Sequence, residues 1–486
     1  MTQPVVDSRA ADSTVRPSLH NGKTVAAPPY DVIRMLVDVL APAVSTPVDE
    51  LHVAAVLESR GVTDVVARDK YGHADVFALA TAMLPHLPAA PATAPADRPP
   101  RAELLRSLSH GPLYLAASLA YPAVFAALGQ SGMLRALIAA TAIGWVWGVG
   151  MSAVAYQLRG QGRDQESGPA QHVLLSLGIV VALVVGVVMV LTGTGGPGLV
   201  AFVVCQTAFQ LAAGVLLFHK REAVLALAVL PATVAGVEFL VLGQPSGGVL
   251  PTLATALVSV AIVVTAAVQR TGPAALERAA SVLRGLRPAL AGLWTSTGYA
   301  AACAALLLSV DARYIDGPID LAVAAVPLVV GMGAIELRAN RFFEQARLLL
   351  DQNRMTAQFS ADVWRLMLRE LATVGAIVGS LACVLLLVLT GMGLLTMGGA
   401  LLVDGHVLLG CVLFLGFVLA RHRRFPRVLA VLVAGVLSYL VLIREASSWS
   451  PPFGGVLLFL AVTAGLLAAF VLAFRSGVAR LSDYFW

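Results

Sequence analysis

The sequence predicts an all-α polytopic membrane protein, with twelve transmembrane helices in two six-helix lobes preceded by a small cytosolic helical module. Three observations lead there. Of 486 residues, 58% are hydrophobic and 13% charged, where an ordinary soluble protein carries about 25% charged residues. Charge is also unevenly placed: residues 1–106 hold 12 acids and 10 bases, the rest of the chain 16 acids and 23 bases. A polar front before a basic but mostly apolar remainder is the pattern of a module leading into membrane helices, whose charges collect at their ends. Finally, apolar runs recur with about 30 residues per helix and connection, and about 20 residues cross the hydrocarbon.

Residues 1–27 are poor in large apolar side chains and rich in Ser, Thr and Ala, which bury too little surface to offset chain entropy, so disorder is expected. No apolar run resembling a signal peptide occurs in the first 30 residues. A small helical module is expected over 28–87. Helical spacing begins at Asp31 and is broken by Pro42 and Pro47, and a second helix runs from Asp49 to Arg60 and ends at Gly61. Thr63 or Asp64 can cap a third, closed by Gly72, and Asp75 can open a fourth through Leu84. Residues 88–106 begin as a Pro/Ala-rich, semi-rigid linker. The twelve apolar segments then fall at 112–129, 133–157, 172–193, 197–218, 223–242, 249–268, 289–310, 318–336, 370–395, 402–420, 426–443 and 454–474. All four cysteines lie inside such segments, which leaves no disulfide framework or zinc spacing.

The positive-inside rule tests this count. Starting in the cytosol and alternating, 20 of the 23 basic residues of the membrane part fall inside, and only Arg135, Arg313 and Arg444 fall outside. One span more or fewer would scramble the pattern. Both termini, including the tail 476–486, are therefore expected on the cytosolic side of the plasma (inner) membrane.

The charged connector 269–288 divides the spans into lobes of six, 107–268 and 289–475. Span 2 carries Val149-Gly150-Met151-Ser152-Ala153-Val154 and span 8 carries Val330-Gly331-Met332-Gly333-Ala334-Ile335. Position and pattern together point to a duplicated unit. Because six is even, the copies enter the membrane in the same sense, as parallel repeats about an axis along the membrane normal, with a substrate path between halves.

The stretch GWVWGVGMSAVAYQLRGQGRDQESGPAQ (144–171) resembles the second-helix region of the multidrug/oligosaccharidyl-lipid/polysaccharide (MOP) flippase superfamily. Span 8 continuing into ELRANRFFEQARLLLDQNRMTAQFSADVWRLMLRE (336–370) is similar to its exopolysaccharide-exporting branch. The resemblance implies two lobes around a cavity, alternating access driven by an ion gradient, and export of a lipid-linked saccharide or polysaccharide. Members that handle saccharides usually carry cationic cavity side chains, and this chain has no Lys or Arg in mid-membrane.

Charges within spans need an account. Glu238, about one turn from the outer end of span 5, is the candidate for binding a driving proton or Na⁺, against a carboxylate that simply reaches the interface. Asp320 reads as interfacial, Asp404 and His406 as a solvated helix start, Arg135 as an interfacial anchor, and Glu336 as a partner of Arg338, Arg341 or another nearby base. Arg159, Arg163, Arg338 and Arg341 end spans 2 and 8. They are candidates for gripping a lipid phosphate across the inward mouth, or ordinary positive-inside anchors. Thr295, Ser296, Thr297 and Tyr299 form a polar stripe on span 7, suited to lining the path or to bonding between helices. Pro122, Pro231, Gly144, Gly148 and Gly150 are hinge candidates. Residues 337–369 place apolar side chains at helical intervals among six arginines, the pattern of an amphipathic helix on anionic lipid or against a cytosolic protein partner.

No catalytic residue, cofactor or metal ligand emerges. Export of a lipid-linked saccharide by alternating access competes with a non-transporting scaffold of an envelope assembly complex, and with a membrane-embedded glycosyltransferase. The last would need acid/base or metal-binding carboxylates at a membrane face; the first outer loop has none, and the outer acids Asp311 and Asp316 sit alone in one short turn. The acidic balance of the front argues against nucleic acid and for a protein contact.

Overall fold

In the computed structural model the described residues are 33, 36, 37, 49–87, 101–193, 195–272, 279–314, 317–352, 356–420, 425–449 and 453–476. The expected disordered start, the proline-rich segment 88–100, the middle of the connector and the residues after Ser476 lie outside them. The chain forms two units, Met1–Ala92 and Thr93–Trp486.

The first unit contains α1 (Glu50–Ser59), α2 (Asp64–Tyr71) and α3 (Val76–Met83), followed by a 3₁₀ turn. Local chemistry sets its ends. Asp49 accepts the His52 amide at 2.7 Å and Asp75 the Ala78 amide at 2.7 Å. These bonds satisfy donors that the first helical turn leaves open. Asp64 accepts instead from the amide of Val76, at 3.0 Å, which ties α2 to α3. Gly72 closes α2 with φ +72°, a left-handed conformation that costs glycine little. Val53, Leu57, Ala67, Val76, Leu79 and Met83 form the core.

The second unit is all helical. Its elements are α4 (Arg101–Ser118), α5 (Tyr121–Leu128), α6 (Gln130–Gly160), α7 (Asp164–Leu191), α8 (Pro197–Phe218), α9 (Glu222–Val241) and α10 (Val249–Thr271). After the connector come α11 (Ala279–Tyr314), α12 (Ile319–Ala322), α13 (Val326–Gln352), α14 (Thr356–Gly391), α15 (Met397–Ala420), α16 (Phe425–Trp449) and α17 (Phe453–Arg475). Among the described residues twelve helical spans are long and apolar enough to cross a membrane. Span 1 is α4 plus α5, span 6 is a 3₁₀ turn (Ser246–Gly248) plus α10, span 8 is α12 plus α13, and each other span is one helix.

The packing repeats itself. In the first half, spans 2 and 4, 3 and 4, 2 and 3, 5 and 6, 4 and 6, and 1 and 5 are paired. In the second half the same six pairs recur with every number raised by six. Spans 4 and 10 are correspondingly the most buried helices of their lobes. The strongest contacts between lobes are span 1 on span 8 and span 7 on span 2, and a two-fold operation exchanges these two. A duplicated six-helix unit accounts for all of this.

Residues 337–369 do not form a helix lying on lipid. Their described residues are the end of α13 and the start of α14. Phe342, Ala346, Leu350, Phe359, Val363 and Met367 are buried in the second lobe's core. The ring of Phe474, from α17, lies 5.8 Å from that of Phe342 and 6.2 Å from that of Trp364. At a rise of about 1.5 Å per residue, α14 is about 54 Å long, well beyond the roughly 30 Å hydrocarbon. The apolar periodicity marks an interior face of helices that continue past the membrane.

Candidate functional site

The seam between lobes is built from small residues near the end of the spans that carries Arg159, Arg163 and Arg338, here called the basic face. A Cβ placed on Gly111 of α4 would lie 2.2 Å from the Val330 carbonyl oxygen, and one on Gly333 of α13 would lie 2.1 Å from that of Ser107. Only glycine permits backbones to approach this closely. On the related seam, a Cβ on Gly150 of α6 would lie 3.0 Å from the Thr297 methyl of α11. Leu293 also packs there, against the cluster of Val154, Leu158 and Ala170. Farther along, α5 packs on α6, α9 and α10, and α12 on α11 and α15, each within its own lobe. Along spans 1 and 8 the lobes therefore meet through α4 and α13, toward the basic face.

An ion network crosses this seam. Arg106 pairs with Glu222, at the start of α9, at 3.2 Å, and His110 Nε2 lies 3.8 Å from the same carboxylate. His110 Nδ1 lies 3.3 Å from Glu336 of the other lobe. Glu336 thus finds its base on span 1, not in Arg338 or Arg341 of its own helix.

The first lobe also holds a cavity of about 220 Å³ between spans 1, 4, 5 and 6. Its walls are mostly Ala, Val, Leu and Phe, with polar groups from Tyr121, Gln206, Cys205 and Ser259. Gln206 Nε2 donates to the Tyr121 hydroxyl at 2.6 Å. The cavity borders the interruption of span 1 at Leu119 and Ala120. There Gly236 brings α9 against the Leu119 carbonyl, and Thr233 donates to the Ala116 carbonyl at 3.2 Å. A bond from the neighbouring helix thus replaces part of what the broken ladder loses.

Pro122 sits in the first turn of α5, directly after this break. Pro231 lies within the continuous α9, and Gly144, Gly148 and Gly150 lie within the continuous α6. Gly144 and Gly148 face Gln210 and Leu211 of α8. They serve close packing inside the first lobe, while Gly150 serves the seam.

Three of the four arginines pair with acids of their own lobe. Arg159 pairs with Asp164 at 3.2 Å and lies 4.4 Å from the centre of the Phe218 ring. Arg163 forks onto Glu166 with contacts of 3.0 and 2.5 Å. Arg338 donates to the buried Glu370 at 3.1 Å, and Arg341 is half-buried. Thr295, Ser296 and Thr297 are half-buried at the seam end of α11, with Thr297 Oγ1 bonded to its own Leu293 carbonyl at 2.7 Å. Tyr299 turns into the second lobe, where its hydroxyl fills the space beside Gly416. Glu238 is exposed on the outer surface of α9, beside the exposed Val237 and Val241.

Other acids depart from expectation. Asp320 is fully buried, and its Oδ2 accepts from the amide and hydroxyl of Thr396, at 2.9 and 2.6 Å, at the N-terminus of α15. A carboxylate is favourable at a helix start, so burial follows from capping a neighbouring helix. His406 is also fully buried, with Nδ1 2.8 Å from the Leu402 carbonyl and Nε2 3.1 Å from Asp311 Oδ1. A solvated helix start describes Asp404, which is exposed, but not His406. Outside the spans, His219 donates from Nε2 to Gln171 Oε1 at 3.0 Å. Desolvation, then the nearby Arg159 and Arg221, hold its pKa below the usual histidine value.

The sequence pattern alone overlooked His110 and Glu222, and it did not pair Asp311 with His406. The available signal was a histidine and an acid inside or at the mouth of apolar runs, which is costly unless paired.

The fold and seam define a multi-pass α-helical membrane protein made of two six-helix lobes related by a pseudo-two-fold axis. No protein-family model and no curated protein matches the sequence. Among solved structures the chain is similar to a crystal structure of MATE in the bent conformation, at 12% identity and a TM-score of 0.48, over 78% of this chain and 94% of that one. A crystal structure of MATE in complex with MaL6 aligns at 14% identity and a TM-score of 0.45, over 78% and 96%. An inward-facing multidrug resistance MATE family transporter of the MOP superfamily aligns at 15% and 0.39, over 79% and 94%.

Proposed function

We propose that the protein is a secondary transporter that exports a lipid-linked saccharide or growing polysaccharide by alternating access, from the plasma (inner) membrane, with both termini cytosolic. One observation carries the transport reading. Two copies of one six-helix unit touch chiefly along two symmetry-related helix pairs, and opposite rocking of the lobes opens one face while closing the other. The close glycine contacts toward the basic face fit a state closed on that side. The resemblance of span 8 and residues 336–370 to the exopolysaccharide-exporting branch supports the cargo. The mainly apolar cavity beside the broken span 1 suits the lipid part of such a molecule, with Tyr121, Gln206 and Ser259 as its polar contacts.

The test is reconstitution of the full chain into vesicles with a fluorescent lipid-linked oligosaccharide and a membrane-impermeant quencher. Protein-dependent transbilayer movement is expected. A Val154→Cys/Leu293→Cys disulfide across the span 2 and span 7 seam should arrest it, and reduction should restore it. Movement no faster than in protein-free vesicles refutes the reading. Stable binding of an envelope protein together with that failure would favour the scaffold.

A further inference from the structure

We propose that His110 is a proton-binding site on the moving seam, and that the proton it holds ties the two lobes together at the basic face. The inference rests on the transport reading and supplies its coupling ion.

Both ring nitrogens of His110 face carboxylates. Nδ1 lies 3.3 Å from Glu336 Oε2 in the second lobe, and Nε2 lies 3.8 Å from Glu222 Oε1 in the first. A neutral imidazole has one N–H and one lone pair. With the proton on Nδ1, the lone pair points at Glu222; with it on Nε2, the lone pair points at Glu336. The doubly protonated ring alone presents an N–H to each acid.

The other charges nearby reinforce this. On span 1, Arg106 already serves Glu222 at 3.2 Å, and Tyr114 lies one turn beyond His110. From span 5 come Glu222 and, beside it, Arg221. From span 8 comes Glu336, while Arg338 on that helix is turned to Glu370 of span 9. No second cation among the described residues pairs with Glu336, so the His110 proton is what links it to the first lobe. When the proton leaves, a lone pair stands against a carboxylate and the ion pair across the seam is lost.

The location makes this a coupling site. His110 lies beside Gly111, whose backbone meets Val330, and Glu336 lies one turn from Gly333, whose backbone meets Ser107. Those contacts must part before the basic face can open. The His110 side chain is 17% exposed, and histidine changes charge between about pH 5 and 8. Protonation therefore favours the closed basic face, and opening that face releases the proton there.

The experiment measures the distance between spin labels on non-natural amino acids at Gln161 and Glu344, which are exposed near the basic face, one in each lobe. The full chain is held in lipid nanodiscs from about pH 5 to about pH 9. For the wild type the short distance should dominate at low pH. The closed-to-open ratio should then fall with rising pH, by at most about tenfold per pH unit for one proton. His110→Gln should abolish the response and favour the long distance. His110→Arg, a permanent cation, should abolish it and keep the short one, which separates loss of the latch from loss of the fold. A wild-type distance that ignores pH, or a His110→Gln variant that responds as the wild type does, overturns the proposal. A pH-dependent distance without saccharide movement would leave the latch and remove the transport reading; movement with no such dependence would do the reverse.

Discussion

The two lobes share one helix layout but spend their polar groups differently. In the second lobe one continuous core runs through all six spans, and the ionic contacts of Glu370 and His406 are made by buried side chains, while Arg365 and Asp362 pair at the surface. Glu370 is 1% exposed beneath Arg338, and His406 is 0% exposed against Asp311. In the first lobe the membrane core is divided among three separate clusters. A cavity and a broken span lie between its helices, and the pairs Arg159 with Asp164 and Arg163 with Glu166 sit at its surface. A duplicated backbone can thus yield one lobe that is internally cross-linked and another that has room to deform.

Several substitutions would break or sharpen this contrast. The largest effect is expected at the second lobe's buried pairs. Glu370→Ala removes the buried partner of Arg338 and Asp311→Ala removes the Nε2 partner of the buried His406, and leaving a buried polar group without its partner costs up to about 3 kcal/mol, more where it is charged. Glu166→Ala in the first lobe should cost no more than about 1 kcal/mol, as exposed pairs do. Thermal unfolding in detergent, followed by tryptophan emission, compares them, and equal losses would end the contrast.

Next comes the seam that joins the lobes. Gly333→Leu forces a side chain into the Ser107 carbonyl and should cost about 3 kcal/mol, by the overpacking rule. Gly379→Leu, where a Cβ meets nothing within 4 Å, should be close to neutral. The readout is the yield of monodisperse protein together with its melting temperature.

A smaller effect is expected at the break in span 1. Thr233→Val removes the bond to the Ala116 carbonyl and should cost about 1 kcal/mol. Because that break borders the first lobe's cavity, amide hydrogen exchange of residues 116–121 should rise while that of span 7 stays unchanged.

The smallest concerns pH. The folded state holds the pKa of His219 below its ordinary value, so its contribution to stability is present above the ordinary histidine pKa. It is lost as pH falls through the lowered one. His219→Gln should reduce the acid-side fall in melting temperature and leave the value near pH 8 little changed.

Much of the helix layout was legible because it depends on short stretches. Apolar runs of span length showed twelve crossings, and likeness between Val149–Val154 and Val330–Ile335 foreshadowed the repeated packing. The site was far less legible. Arg159, Arg163, Arg338 and Arg341 were grouped because corresponding spans end in arginine, yet three of them are engaged by acids of their own lobe. Glu238 drew attention as a carboxylate in an apolar run, but such a run has a face turned outward as well as one turned inward. In residues 337–369 the same limitation applies: periodicity reveals an apolar stripe without saying whether lipid or protein covers it.

The amino-acid order by itself determined how often the chain can cross a membrane and where its small module caps its helices, because hydrocarbon thickness and backbone hydrogen bonding act over one helix at a time. Tertiary structure alone decided which charges meet. His110 and Glu336 are 226 residues apart in sequence, and Asp311 and His406 are 95 apart. No local periodicity encodes such pairs, since their distances follow from how whole helices pack.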